Sequence, residues 1–313
     1  MNDRPKIDEA TRDDIVSLTR MALSEDLGSS DLEIARDCTT LAVVPDDVKA
    51  KASFVARESG VVCGVQLTQI AIGKFASELG LEIHLQDGAR VEPKQPIATF
   101  SGEARKILMM ERTCLNFMCR LSGIATMAAT FADLVSGTNA NILDTRKTLP
   151  GWRRIEKYAV ACGGGHNHRM GLYDAIMIKD NHLAMYGSHI DNHKLSVSQA
   201  VELARKWVDE NQRSLPNGKD TIVQIEVDSL DQLKLALPAG PDIVLLDNMN
   251  CDQLSEAVKI RNEANKSVLL EASGGVNLDT VADIAKTGVE RISIGAITHS
   301  AKNFDIGLDW ELG

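Results

Sequence analysis

The stretch NILDTRK, residues 141–147, decides the fold. Ile142 to Asp144, after Asn141, have the pattern of a buried strand reaching its end. Arg146 and Lys147 follow side by side, ahead of a Pro150-Gly151 turn. The same pattern returns downstream in AIMIKDNH (175–182), IVQIEVDS (222–229), DIVLLDNM (242–249), SVLLEASGG (267–275) and RISIGAITHS (291–300). Each is a short apolar run that stops on polar residues or glycine. Helical patterns lie between the later runs, over 196–211, 230–237, 252–265 and 278–288. Strands alternating with helices in this way predict a parallel sheet with right-handed crossovers.

A doubly wound sheet and a barrel share this rhythm. Two features favour the barrel. No GxGxxG follows the first strand, and polar residues end every strand instead of gathering at one switch point. Six runs are fewer than the eight strands of a closed barrel. The expectation is therefore an α/β fold with an incomplete, six- to seven-stranded α/β barrel, open on one side.

The chain upstream has a different character. Residues 11–28 predict a helix that starts at Thr11 as N-cap and stops at Gly28. Residues 51–65 and 81–102 alternate apolar and polar positions between Gly and Pro, and predict antiparallel strands. A long helix is predicted over 107–137. The final stretch, AKNFDIGLDWELG, adds no further strand-helix unit and is placed back against the N-terminal domain. The division expected is 1–114, 115–300 for the barrel, and a tail of 301–313 packed on the first part.

Composition narrows the class. The 313 residues are 44% hydrophobic and 25% charged, as in ordinary globular proteins, and carry a net charge of −10. That balance argues against a nucleic-acid partner, which wants a basic surface. No apolar run approaches the length of a membrane span, and the polar N-terminus has no signal-peptide pattern. The six cysteines form no CxxC pair, and Cys114 and Cys119 have neither zinc nor redox spacing. They suit idle thiols in a reducing, cytoplasmic setting.

Closing parallel strands brings their C-terminal ends around one mouth. Arg146, Lys147, His168, Arg169 and Lys179 make a basic zone there, and Glu226 and Asp247 an acidic one. A single strand-end cation is most often a salt-bridge partner; five on neighbouring ends point to an anionic ligand. Glu226 ends an apolar strand, so it needs a cation, a hydroxyl or a metal as partner. ASGG (272–275) fits a helix C-cap, but its place after a strand favours a phosphate cradle. The acidic zone fits sugar hydroxyls or hydrated Mg²⁺. Together these imply a phosphorylated sugar and a carboxylate-bearing partner. His189 and His193 stand four apart in SHIDNHK, a possible zinc spacing, but Gly187 and Asp191 favour a solvated loop. The whole connection 183–197 is longer than a tight βα turn.

The motifs resemble those of quinolinate phosphoribosyltransferases along nearly the whole chain. They are SEDLG (24–28), DCTT (37–40), ARESGVVCG (56–64), ERTCLNFMCRLSGIAT (111–126), the long stretch from LDTRKTLPG to KDNH (143–182), QIEVDS (224–229), LLDNM (245–249), LEASGGVN (270–277) and SIGAITHS (293–300). The resemblance implies an N-terminal α/β sandwich domain followed by the open barrel. It implies a homodimer or larger homo-oligomer whose active site is shared, with Arg112 reaching into the neighbour's mouth. It also implies a reaction of quinolinate with phosphoribosyl pyrophosphate that gives nicotinate mononucleotide, pyrophosphate and CO₂. By the same resemblance, Arg112, Thr145, Arg146, His168, Arg169 and Lys179 bind quinolinate. Lys147, Glu226 and Asp247 stand at the reacting centre. They also bind phosphoribosyl pyrophosphate, with Ser273, Gly274, Gly275, Gly295 and His299. Glu226 and Asp247 would hold Mg²⁺ through water.

Three rivals share parts of this pattern. A transferase-like paralogue on the same scaffold would lack some of the cations of TRK, HR and IKD, all present here. A nicotinate-specific enzyme needs fewer cations. A non-catalytic anion-binding barrel predicts binding without turnover.

Overall fold

The computed structural model describes residues 5–30, 32, 36–187 and 196–311. In chain order the elements are α1 (Glu9–Leu27), α2 (Cys38–Val43), β1 (Lys49–Ala56), β2 (Gly60–Val61), α3 (Val65–Phe75), β3 (Gly80–Ile83), β4 (Arg90–Val91), β5 (Pro96–Glu103), α4 (Ala104–Leu134), β6 (Asn141–Leu143), α5 (Arg153–Cys162) and β7 (Ala175–Ile178). They continue as α6 (Asp180–Gly187), α7 (Val197–Asn211), β8 (Ile222–Val227), α8 (Leu230–Ala236), β9 (Ile243–Asp247), α9 (Cys251–Ala264), β10 (Leu269–Ser273), α10 (Val281–Lys286), β11 (Arg291–Ser293), α11 (Ala296–His299) and β12 (Ile306–Glu311). Among the described residues no helix is long and apolar enough to cross a membrane.

Two compact units form. The first takes residues 1–130, 148–164 and 297–313; the second takes 131–147 and 165–296. The units do not follow linear order. Position 114 lies inside α4, and α5 belongs to the first unit although it falls between two barrel strands in sequence.

The first unit is built on an antiparallel sheet of order β12-β1-β5-β3. Alternation along β1 buries Ala52 and Phe54 and leaves Ser53 on the opposite face, as a strand with period two requires. Phe54 meets Phe100 of β5 edge-on, with ring centroids 4.8 Å apart. Ile97, Met110 and Met118 close the same core. The C-terminal strand β12 pairs with β1 over Lys51↔Glu311 to Ala56↔Ile306. Helix α1 begins earlier than Thr11: Asp8 is the N-cap, and its carboxylate accepts the Thr11 amide at 2.7 Å. A carboxylate caps more strongly than a threonine hydroxyl and moves the start back by three residues. Gly28 ends the helix in the left-handed region, as predicted.

The second unit is a six-stranded parallel sheet of order β6-β11-β10-β9-β8-β7. Sequential strands are neighbours from β7 to β11, and the last strand joins the first. Among the described residues the ladder is broken only between β6 and β7, which is where the barrel is open. At that gap His166 makes a single parallel bridge to Leu143, a rudiment of a seventh strand. The connection after β7 is longer than a tight turn because it contains α6 before α7 begins. His189 and His193 lie outside the described residues.

Candidate active site

Because all six strands are parallel, their C-terminal ends gather at one end of the sheet. Register fixes which side chains share the inner face. Ser293, Ser273 and Asp247 are aligned across β11, β10 and β9. One step below, Glu226, Leu245, Glu271 and Arg291 are aligned across β8 to β11.

The turn after β6 is tied down by Asp144. Its carboxylate is buried and accepts the His168 amide at 2.8 Å, while its own amide donates to the His166 carbonyl at 3.1 Å. The segment 166–169 is thereby held against the end of β6, and the cations of the two stretches come together. Thr145 Oγ1 accepts the Lys147 amide at 3.1 Å and shapes the turn that carries Arg146. The Arg169 guanidinium is half-buried. Burial first, and then the charge of Arg146, hold its pKa below the usual arginine value, with Asp174 opposing. Asp174 is itself occupied by the amides of Met170 and Gly171, at 2.6 and 3.0 Å. Arg146 has no ion-pair partner among the described residues, and its Nε is buried without a hydrogen bond. Two guanidiniums that repel one another in a half-buried turn are a ready receptor for anions.

The predicted basic and acidic zones are not separate. Lys179 Nζ donates to Glu226 Oε2 at 3.0 Å across β7 and β8. The partner that Glu226 requires is thus a cation on the adjacent strand. Asp247 accepts from Asn248 Nδ2 at 2.8 Å, and the Asn248 amide donates to the Ser273 carbonyl at 2.8 Å, linking the ends of β9 and β10.

ASGG is made of the last two residues of β10 and the two glycines after it, so the helix C-cap alternative is overturned. Gly274 has φ of 95° and Gly275 of 63°. A side chain at 274 would collide with the Asn248 carboxamide, whereas one at 275 would meet nothing within 4 Å. Gly274 is required by both space and backbone, Gly275 by backbone alone. Gly295 follows Ile294, whose amide donates to the Leu143 carbonyl at 2.9 Å.

The second unit carries Thr145, Arg146, Lys147, His168, Arg169, Lys179, Glu226, Asp247, Ser273, Gly274, Gly275 and Gly295, all at strand ends or in the turns beside them. Arg112 and His299 stand in the first unit. Arg112 is exposed on α4, and His299 is exposed at the end of α11 with Nδ1 2.7 Å from Ser300 Oγ.

Sequence reasoning missed Arg291 and gave Glu271 no role. Glu271 is fully buried; its Oε2 accepts from Arg291 Nε at 2.7 Å, and its Oε1 faces His168 Nε2 at 3.3 Å. Burial alone would raise the Glu271 pKa, but His168 and Arg291 outweigh it and hold the carboxyl below the usual range. The available signal was a charge inside each of two apolar strands, LLEAS and RIS. Nothing in one sequence says that register puts the two side by side.

Comparison with known proteins gives a consistent picture. Residues 37–122 match the N-terminal domain, and residues 124–309 the C-terminal domain, of the family described as quinolinate phosphoribosyl transferase. A relative from Mycobacterium leprae (strain TN), named nicotinate-nucleotide pyrophosphorylase (carboxylating), is 42% identical over 303 residues, 96% of this chain and 97% of its own. The structure of the nicotinate-nucleotide pyrophosphorylase from Francisella tularensis aligns with a TM-score of 0.83 at 34% identity, covering 99% of this chain and 100% of that one. The corresponding structure from Ehrlichia chaffeensis aligns at 0.81 with 37% identity, covering 94% and 98%.

Proposed function

The chain belongs to the quinolinate phosphoribosyltransferase family, and from that premise we propose how its mouth carries out the reaction. The enzyme transfers the phosphoribosyl group of phosphoribosyl pyrophosphate to quinolinate with loss of CO₂. The products are nicotinate mononucleotide and pyrophosphate, in de novo NAD biosynthesis. The observation that carries the assignment to this mouth is that Asp144 ties the end of β6, which bears Arg146, to the segment that bears Arg169, so that two guanidiniums gather beside one another. Two planar guanidiniums suit the two flat carboxylates of a pyridine dicarboxylate.

Thr145, Lys179 and His168 complete the quinolinate side, and Lys147 stands between it and the leaving pyrophosphate. As the pyridine nitrogen attacks the ribose C1, positive charge grows on the sugar. Glu226 and Asp247 stabilise that charge, and Lys147 the charge that leaves with pyrophosphate. The nitrogen, once quaternary, is an electron sink: the adjacent carboxylate departs as CO₂, its bonding pair stays on the ring carbon beside the nitrogen, and that carbon takes a proton from water. No general base is required. Ser273, Gly274, Gly275 and Gly295 offer small side chains and backbone N–H groups to phosphate. The roles of Arg112, as a residue lent to a second copy in a homodimer, and of His299, at the phosphates, rest on the family motif alone.

The described residues contain no group of three or more His, Cys, Asp or Glu side chains fit to cage a metal. Glu226 and Asp247 are two hard oxygen donors on adjacent strands. That suits Mg²⁺, which keeps several waters and leans on substrate phosphates. When bound, the ion neutralises charge developing on pyrophosphate. We place the enzyme in the cytoplasm. All six cysteines are free, and burial pushes the Cys114 thiol up to about 12, as suits inert thiols in a reducing compartment.

The test is turnover with phosphoribosyl pyrophosphate, Mg²⁺ and either quinolinate or nicotinate. Turnover of quinolinate alone supports the reading. Turnover of nicotinate alone defeats it.

A further inference from the structure

Glu271 is fully buried, and the assignment above gives it no contact with substrate. One of its oxygens accepts from Arg291 at 2.7 Å, and the other faces His168 Nε2 at 3.3 Å. On the far side of the imidazole, Nδ1 accepts the Arg169 amide at 2.7 Å, and the His168 amide is held by Asp144 at 2.8 Å. An Nδ1 that accepts a hydrogen bond carries no proton. The neutral ring therefore keeps its proton on Nε2, toward the carboxylate. A carboxylate only accepts, so Glu271 selects this tautomer. Nδ1 is then committed to the backbone. Arg169, whose amide the ring holds, is the guanidinium pressed by Arg146. Its Nη1 donates to the Ala175 carbonyl at 3.3 Å, and its backbone is fixed by the His168 ring.

From this geometry we propose that Glu271 is a positioning residue for the dicarboxylate substrate. It fixes His168 as the Nε2–H tautomer; His168 fixes the Arg169 backbone; and Arg169 is thereby aimed, beside Arg146, at a carboxylate. The proposal rests on the reading of this mouth as the quinolinate site. It differs from a simple counter-ion role for Glu271 toward Arg291, because it runs through the histidine ring.

Glu271→Gln separates the two. Arg291 still needs an acceptor and takes the glutamine carbonyl, which turns the glutamine NH₂ toward His168 Nε2. That nitrogen must then accept, the ring proton moves to Nδ1, and Nδ1–H opposes the Arg169 amide. Nitrogen NMR of the histidine-labelled enzyme should show Nε2–H at His168 in the wild type and Nδ1–H in E271Q. The quinolinate KM of E271Q should rise at least about tenfold, with the phosphoribosyl pyrophosphate KM within about twofold. In the His168→Asn background the asparagine Oδ1 takes over as acceptor for the Arg169 amide. There E271Q should change the quinolinate KM by less than about twofold. An equal rise in both backgrounds, or no rise in either, overturns the proposal. So does a wild-type His168 found as Nδ1–H or as imidazolium at the assay pH. Should E271Q not fold, the wild-type tautomer decides alone. Wild-type turnover of nicotinate instead of quinolinate would defeat the functional reading while leaving the tautomer result standing.

Discussion

Lys179 Nζ stands 3.0 Å from Glu226 Oε2, joining the side of the mouth that carries the cations to the side that carries the carboxylates. In the proposed reaction this pair sits where the pyridine meets the ribose. Glu226→Gln keeps the hydrogen-bonding shape and removes the charge that faces the developing cation. We expect kcat to fall about a hundredfold with the quinolinate KM changed only a few-fold. An unchanged kcat would remove Glu226 from the reacting centre.

Arg146→Ala removes one of two guanidiniums and relieves the repulsion on the other. Loss of a charge-assisted contact of roughly 1.5–3 kcal/mol predicts a quinolinate KM raised at least about tenfold. Steady-state kinetics with phosphoribosyl pyrophosphate saturating checks this. A KM equal to that of the wild type would refute the contact.

Gly274 and Gly275 both have positive φ, but only Gly274 is pressed by Asn248. Gly275→Ala should cost about 1–2 kcal/mol, the penalty for an L side chain in the left-handed region. Gly274→Ala should lower Tm further, and should raise the phosphoribosyl pyrophosphate KM more than the quinolinate KM. Equal Tm values for the two variants would contradict this account of the turn.

Arg112→Ala should be inactive with its barrel intact if the residue serves a neighbour. Mixing it with Lys147→Ala, inactive in the barrel, should restore part of the activity through hybrid dimers. Hybrids that are shown to form yet stay inactive would count against a shared site.

The barrel was legible because its strands are buried on both faces and end on conspicuous polar runs; NILDTRK alone shows a strand and its polar end. The open side was legible only as a strand count. Its position, between β6 and β7, depends on a ladder between the first strand and the last that no local pattern records. The site divided similarly. Arg146, Arg169 and Glu226 stand at strand ends or in polar turns, where periodicity marks them as out of place in a core. The partnership of His168 with Glu271 and Arg291 joins residues from three separate stretches by register. The start of α1 was misplaced because Thr11 and Asp8 are both good caps, and the stronger one lies a turn earlier.

The central claim is that this mouth couples phosphoribosyl transfer to decarboxylation. The direct measurement uses quinolinate labelled in the carboxylate adjacent to the ring nitrogen, with phosphoribosyl pyrophosphate and Mg²⁺. Release of labelled CO₂ and of pyrophosphate is followed together. The account predicts that the two appear in equal amounts, with nicotinate mononucleotide as the nucleotide product. Pyrophosphate released from nicotinate without CO₂, and no labelled CO₂ from quinolinate, would contradict it.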